Sequence, residues 1–322
     1  MQLSYEELLK MKTEIFSMVA PPAAFGAEEV VLSIKVKLEA DEYTKPTRWR
    51  LIGAKGKAQN IVSLCQKNGL NPVKVLEVGA GDGAILAHLD KMSFCRELHA
   101  LDVSVSSEKV IRGLNLKSLQ RAATFDGYNI PYGDNEFDLL ILSHVLEHVE
   151  YERILLREIQ RVSKFQIIEV PLDFHSYVDL NWLKCTAYGH INIYTPPILR
   201  YLLRSELFYI VDDILGRYSF EVMEYLHFDY NTHQRTPEEQ KRFRINFSNE
   251  QSRFDSLTRE EQEKCALWYA VLTKKITSDE LFEEIIALAN HLQQQGLDGD
   301  AKLVLKNIEK YSLGRLLESK LK

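Results

Sequence analysis

Cysteine is scarce in this sequence and forms no pattern. Cys65, Cys95, Cys185 and Cys265 are far apart, with no CxxC spacing. That excludes a disulfide framework and a cysteine zinc cluster, and it suits reduced thiols in a cytoplasmic protein. Long hydrophobic runs are also missing. None approaches the ~18 apolar residues needed to span a bilayer. The opening segment, MQLSYEELLKMKTE, is charged where a secretory signal would need an apolar core. The expectation is a cytoplasmic location with no membrane span. Internal repeats and low-complexity tracts are absent. So is any excess of positive charge: 40 Lys and Arg stand against 46 Asp and Glu, a net charge of −6. Proteins that hold nucleic acid through its phosphates are usually basic, so nucleic acid is not the expected partner.

What remains is an ordinary globular composition, 45% hydrophobic and 27% charged over 322 residues. At roughly 150 residues per domain, that length allows two domains or one domain with large additions. Three zones are visible. Residues 1–68 read as a helical N-terminal cap or lid: Leu8, Ile15 and Val19 share one stripe, ended by Pro21 and Pro22. Residues 69–228 alternate strand and helix patterns. Strand-like runs at 73–78, 97–102, 122–126, 138–143 and 165–170 are separated by helical segments at 83–91, about 106–113 and 149–163. Strands spaced by helices imply a parallel sheet with right-handed crossovers. Two later runs, 207–215 and 219–228, lie three residues apart, which suits an antiparallel hairpin. Residues 229–322 read as a helical extension, with capping signals at Thr236, Thr258 and Thr277. Its last two helices, split at Gly296, form a hairpin that packs on the core or joins a homodimer.

Residues 35–57 hold seven basic residues (Lys35, Lys37, Lys45, Arg48, Arg50, Lys55, Lys57) and three acidic ones (Glu39, Asp41, Glu42). The plain reading is a solvated helix face. The sharper reading is a lid that draws in an anionic substrate.

The most informative segment is Glu77-Val78-Gly79-Ala80-Gly81-Asp82-Gly83, which leaves a buried strand and enters a helix. Glycines let the backbone turn tightly and approach a ligand without Cβ clashes. Dinucleotide sites favour GxGxxG with a pyrophosphate at the helix N-terminus. This loop is ExGxGxG, and an acidic residue at the strand end suits a cationic ligand such as S-adenosylmethionine. Asp102 ends the second strand, where a carboxylate can accept both ribose hydroxyls of either ligand. Asp126 ends the third and could accept from an adenine amino group, or simply begin a turn before Gly127.

The runs VLEVGAGDG (75–83), ALDVS (100–104), DGYNIPYGDNEFDLLILSHVLEHV (126–149) and GHINIYTPPILRYLLRSELF (189–208) together resemble class I S-adenosylmethionine-dependent methyltransferases of the type-11 group. The resemblance covers about 70–228. It implies an α/β, Rossmann-like seven-stranded sheet, here with the helical N-terminal cap and C-terminal helical extension. It also implies a cofactor pocket in which Glu77, Gly79 and Gly81 line the methionine end, Asp102 holds the ribose, Asp126 and Gly127 lie at the adenine, and Ser143 and His144 face the transferred methyl.

Methyl transfer to a hydroxyl is helped by a general base, and histidine suits neutral pH. Candidates near the strand ends are His144, Glu147, His148, Asp173, His175 and His190. His190 is the favoured base, with His144 and His148 beside it. The His144-x-x-Glu147-His148 spacing also fits an inverted zinc-peptidase motif, but that motif belongs within a helix and here follows a strand. It further resembles the Glu-x-x-Glu-His of some ubiquinone-pathway and small-RNA methyltransferases that bind a divalent ion. His144 stands where their first glutamate would be, and no metal is assigned. The expected activity is methyl transfer to oxygen or nitrogen of a polar small molecule, anionic if the basic stretch is a lid, such as a sugar, nucleotide-sugar or glycan precursor. The alternatives are a cofactor-binding scaffold without catalysis, an RNA methyltransferase, and a nicotinamide enzyme.

Overall fold

The computed structural model describes residues 47–173, 182, 185, 189–230 and 235–310. The expected stripe at Leu8, Ile15 and Val19, the charges at 35–45 and His175 lie outside the described residues.

The described chain opens with α1, Arg48–Lys67. Thr47 caps it by accepting the Arg50 N–H. Ala54, Ala58, Ile61 and Cys65 recur every three or four residues and are buried as one stripe. There follow β1 (Lys74–Val78), α2 (Ala84–Lys91), β2 (Glu97–Asp102), α3 (Val105–Gly113), β3 (Leu119–Thr124), β4 (Phe137–Ser143), α4 (Glu152–Val162), β5 (Ser163–Pro171), α5 (Pro196–Ser205) and β6 (Phe208–Gly216), with β7 (Trp268–Lys275) later in the chain. Each strand expected between 73 and 170 is present, within a few residues at its ends. The buried runs Leu76–Val78 and Leu139–Leu142 are covered on both faces, as parallel strands in an α/β protein are.

The seven strands form one sheet in the order β3-β2-β1-β4-β5-β7-β6. Strands β1 to β5 pair in parallel. The order reverses between β1 and β4, so a crevice opens at the carboxyl ends of those two strands. The functional residues collect there.

Two expectations are corrected at the far edge. β6 (Phe208–Gly216) forms no hairpin with 219–228. It pairs antiparallel with β7 (Trp268–Lys275), which also pairs antiparallel with β5. Residues 219–228 are helical instead: α6 (Phe220–Glu224) continues into a wide turn, Tyr225–Tyr230. Ser219 accepts the Val222 N–H and so starts a helix where alternating hydrophobicity suggested a strand. The 229–322 zone is therefore not wholly helical. α7 (Pro237–Asp255) and α8 (Arg259–Glu263) precede β7, and α9 (Ser278–Gln294) and α10 (Asp298–Lys310) follow it. The capping boxes at Thr258 and Thr277 are real, but a buried strand runs between them. The sheet thus closes on residues beyond 228. No helix among the described residues is long and apolar enough to cross a membrane.

Candidate active site

The glycine loop is shaped by positive φ at Gly79 (74°), Gly81 (56°) and Gly83 (76°). At Gly79 a side chain is excluded for a second reason: a Cβ there would stand 2.3 Å from Val145 Cγ2. The Gly79 and Ala80 N–H groups both donate to the Leu101 carbonyl, at 2.8 and 3.1 Å. Asp102 fastens the loop from β2. Its Oδ2 accepts the Gly81 N–H at 2.7 Å and its Oδ1 the Ser104 N–H at 2.8 Å. Each carboxylate oxygen can accept more than one hydrogen bond. Ser107 Oγ donates to the Gly81 carbonyl.

Glu77, at the end of β1, is 2% exposed, and its Oε2 has no hydrogen-bond partner among the described residues. Burial pushes its carboxyl well above the usual range; Lys57 draws it down, while Asp102 and Asp82 push it further up. A buried carboxylate without a partner is costly unless a cation meets it. That is the fit expected for the ammonium of S-adenosylmethionine.

Along the same crevice, β4 ends at Ser143 and His144. His144 has φ 56°, a left-handed conformation rare outside glycine, and its N–H donates to the Glu169 carbonyl at 2.8 Å. Such strain clusters at functional positions. The turn holds the imidazole between two glutamates: Nδ1 is 3.5 Å from Glu147 Oε1, and Nε2 is 3.4 Å from Glu169 Oε1. Ser143 Oγ donates to Glu169 Oε1 at 3.3 Å, and Asn60 Nδ2 to Glu169 Oε2 at 2.9 Å. Burial alone would raise the Glu169 carboxyl, but His144, Lys57 and Asn60 hold it below its usual value. Burial lowers Lys57 in turn, against the pull of Glu169, Glu147 and Glu77.

Glu147 lies in the short 3-10 turn after β4, is 1% exposed, and has no hydrogen-bond partner for either oxygen among the described residues. His148 donates from Nδ1 to the Gly189 carbonyl at 2.9 Å, which leaves its Nε2 3.9 Å from Glu147 Oε1. His190 Nδ1 bonds Asp173 Oδ2 at 2.5 Å. The two imidazoles meet edge to face with centroids 4.9 Å apart.

The family model for the methyltransferase domain matches residues 76–165, the stretch that carries the glycine loop, Asp102 and the β4 end. The chain carries a class I S-adenosylmethionine-dependent methyltransferase domain. Bacillus subtilis YrhH, named as a methyltransferase, is 25% identical over 149 residues, which is 45% of this chain and 80% of that protein. Ajmaline N-methyltransferase of Rauvolfia serpentina is 29% identical over 96 residues, covering 29% of this chain and 33% of the plant enzyme. The chain thus spans most of the bacterial relative but only about a third of the plant one. Among solved structures, a Galdieria sulphuraria protein described as a sarcosine dimethylglycine methyltransferase aligns with TM-score 0.48 and 14% identity, covering 68% of this chain and 85% of that one. S-adenosylmethionine is the methyl donor of the domain.

The methyltransferase domain brings Glu77, Gly79, Gly81 and Asp102 to one loop, and Ser143, His144, His148 and His190 to one end of the crevice. Asp126 stands apart. It is exposed, and its carboxylate accepts the Tyr128 and Asn129 N–H groups and the Asn129 side-chain amide, the turn alternative read from the sequence. Those three donors, the Asn129 N–H foremost, hold its carboxyl below the usual range. Gly127 follows with φ 92°, its Cβ position 3.3 Å from Val103.

Several site residues were not singled out in the sequence. Asn60 on α1 donates to Glu169, and Lys57, three residues earlier and named in the sequence only as part of the basic stretch, is buried within the influence of the same carboxylate. Glu169 sits among apolar residues of β5, where an acidic residue in a buried run was the available signal. Tyr218 follows β6, and burial beside Asp173, Glu169 and Glu147 pushes its phenol up. Within the basic stretch, Arg48 and Lys55 pair with Asp229 and Glu221, and Lys57 is buried within the influence of Glu169, Glu147 and Glu77.

Proposed function

We propose that the domain methylates an oxygen or nitrogen of a polar, uncharged small molecule, with sugars, nucleosides and glycan precursors as the first class to examine. The observation that carries the reading is the buried Glu77 carboxylate, whose Oε2 has no hydrogen-bond partner among the described residues, beside a glycine loop anchored by Asp102. It suits a cationic nucleoside rather than a pyrophosphate. S-adenosylmethionine supplies a methyl group on a sulfonium, already attached to a good leaving group. Glu77 would take its ammonium, Gly79 and Gly81 would leave room for its methionine end, and Asp102 would accept from the ribose. Asp126 and Gly127 would meet the adenine, and Ser143 and His144 the transferred methyl.

His190 is assigned to acceptor activation, with His144 and His148 next to it. Asp173 orients His190 as the carboxylate of a catalytic dyad would, by fixing which ring nitrogen carries the proton. Alignment of the acceptor with the methyl is the main contribution a protein makes to such a displacement. Two buried glutamates at this end, Glu147 and Glu169, repel phosphates and carboxylates, which favours an uncharged acceptor over the anionic one suggested by residues 35–57.

The test is calorimetric titration with S-adenosylhomocysteine, comparing the native chain with Glu77→Gln and Asp102→Ala. Micromolar binding that both variants weaken supports the reading. Absence of binding to the folded native protein sinks it. Labelled S-adenosylmethionine offered with neutral sugars, nucleosides, nucleotide-sugars and amines then sorts the acceptors.

A further inference from the structure

Glu147, His148 and His190 offer one ligand atom each, all within 4.8 Å of one another. We propose that these three residues hold a divalent transition-metal ion at the acceptor end of the crevice.

Three further observations converge. The Glu147 carboxylate is buried, and neither oxygen has a hydrogen-bond partner among the described residues. A charge in that position is expensive without a cation. Both histidines are oriented through Nδ1, His148 by the Gly189 carbonyl and His190 by the Asp173 carboxylate. An acceptor behind Nδ1 is how metal-binding histidines are usually aimed, because it fixes the tautomer and raises the basicity of the other nitrogen. The scaffold is also firm. The Ile191 and Asn192 N–H groups donate to the Glu147 carbonyl at 2.8 and 3.1 Å, and the Asn192 side chain bridges the Leu146 and Val149 carbonyls at 2.9 and 2.7 Å. These bonds pin the 189–194 segment, and with it His190, onto the turn that carries Glu147 and His148.

Two ligand atoms each ~2.1 Å from a shared tetrahedral ion stand about 3.4 Å apart. The 3.9 Å between His148 Nε2 and Glu147 Oε1 closes to that with a small ring rotation. Two nitrogens and one oxygen suit zinc, manganese, iron or cobalt rather than magnesium or calcium, which prefer all-oxygen sets. Three protein ligands leave positions open, and an oxygen bound at such an ion loses its proton far more readily than in water. His190 then activates the acceptor as a ligand rather than as a free base. The binding claim stands on the cluster alone; only this consequence rests on the methyl-transfer reading.

The experiment uses the full chain, stripped with a chelator and dialysed. Zinc, manganese and cobalt are titrated separately by calorimetry, bound metal is counted by elemental analysis, and cobalt is followed by its visible absorption. S-adenosylhomocysteine is titrated into the same stripped sample. The expected result is about one ion per chain, weakened at least about ten-fold by Glu147→Gln and by His190→Ala and about 10- to 100-fold by Asp173→Asn. The variants are checked for native circular dichroism. No binding of any of the three ions to stripped protein that still binds S-adenosylhomocysteine would overturn the metal site. So would an ion whose affinity is unchanged in both Glu147→Gln and His190→Ala. Metal binding without S-adenosylhomocysteine binding would leave the metal site standing and refute the cofactor reading.

Discussion

Replacing Gly79 with alanine tests how tightly the cofactor loop is built. The residue has φ 74°, and an added Cβ would meet Val145 Cγ2 at 2.3 Å. Holding an L-residue in the left-handed region costs about 1–2 kcal/mol. Overpacking against Val145, on the turn between His144 and Glu147, adds about 1–3 kcal/mol. Gly79→Ala should therefore lose about 2–5 kcal/mol, a large share of the 5–15 kcal/mol that holds a typical domain. Val145→Ala removes the clashing methyl but leaves the backbone strain. In the double variant the clash disappears, so the two changes should be less harmful together than their sum by about 1–3 kcal/mol. Urea denaturation followed by circular dichroism measures all four proteins, and S-adenosylhomocysteine calorimetry shows whether the loop still binds. A Gly79→Ala protein within about 0.5 kcal/mol of native, or two changes that add within about 0.5 kcal/mol, would refute the reasoning.

Other outcomes follow from the same geometry. Asp102→Asn exchanges one acceptor oxygen for a donor facing the Gly81 or Ser104 N–H, so denaturation should show a loss of about 1–3 kcal/mol along with weaker cofactor binding. Glu77 has a raised folded-state pKa, so its contribution is intact below the unfolded carboxylate pKa and declines as pH rises toward the folded value. Glu77→Gln should therefore be more stable than the native chain at pH 8 without cofactor, less so or not at all at pH 4, and a poorer binder of S-adenosylhomocysteine; urea curves at the two pH values check the sign. The Cys65 thiol is buried and pushed up to about 12, so a disulfide reagent at pH 8 should leave it intact in the folded protein and modify it only after denaturation. Thr277→Ala removes the hydroxyl half of a capping box and should cost about 1 kcal/mol, with helical signal lost from α9.

Much of the fold was legible because its strands are short buried runs between helices of clear period. VKVLEV, ELHALD and DLLILS can be little else when helices of 8 and 9 residues separate them. The far edge was not legible. WYAVLTKK lies between two helix-capping signals, and pairing it between β5 and β6 requires knowing which edge of the sheet is open. SFEVMEYLHF alternates well enough for a strand, yet Ser219 caps it as a helix.

The sequence by itself determined the cofactor class. A glycine loop preceded by an acidic residue and followed at the next strand end by Asp102 is local chemistry, set by backbone torsions and short spacings. The end of the crevice that holds Glu147 and His190 was decided only by tertiary structure. Lys57, Glu147, Glu169, Asp173 and His190 come from a helix, a turn, a strand and a loop over 130 positions apart at the extremes. Side chains cooperate across such distances only after the sheet order reverses between β1 and β4 and the 189–194 segment folds back onto the turn after β4, because charge and ligand geometry depend on separation in space and not along the chain.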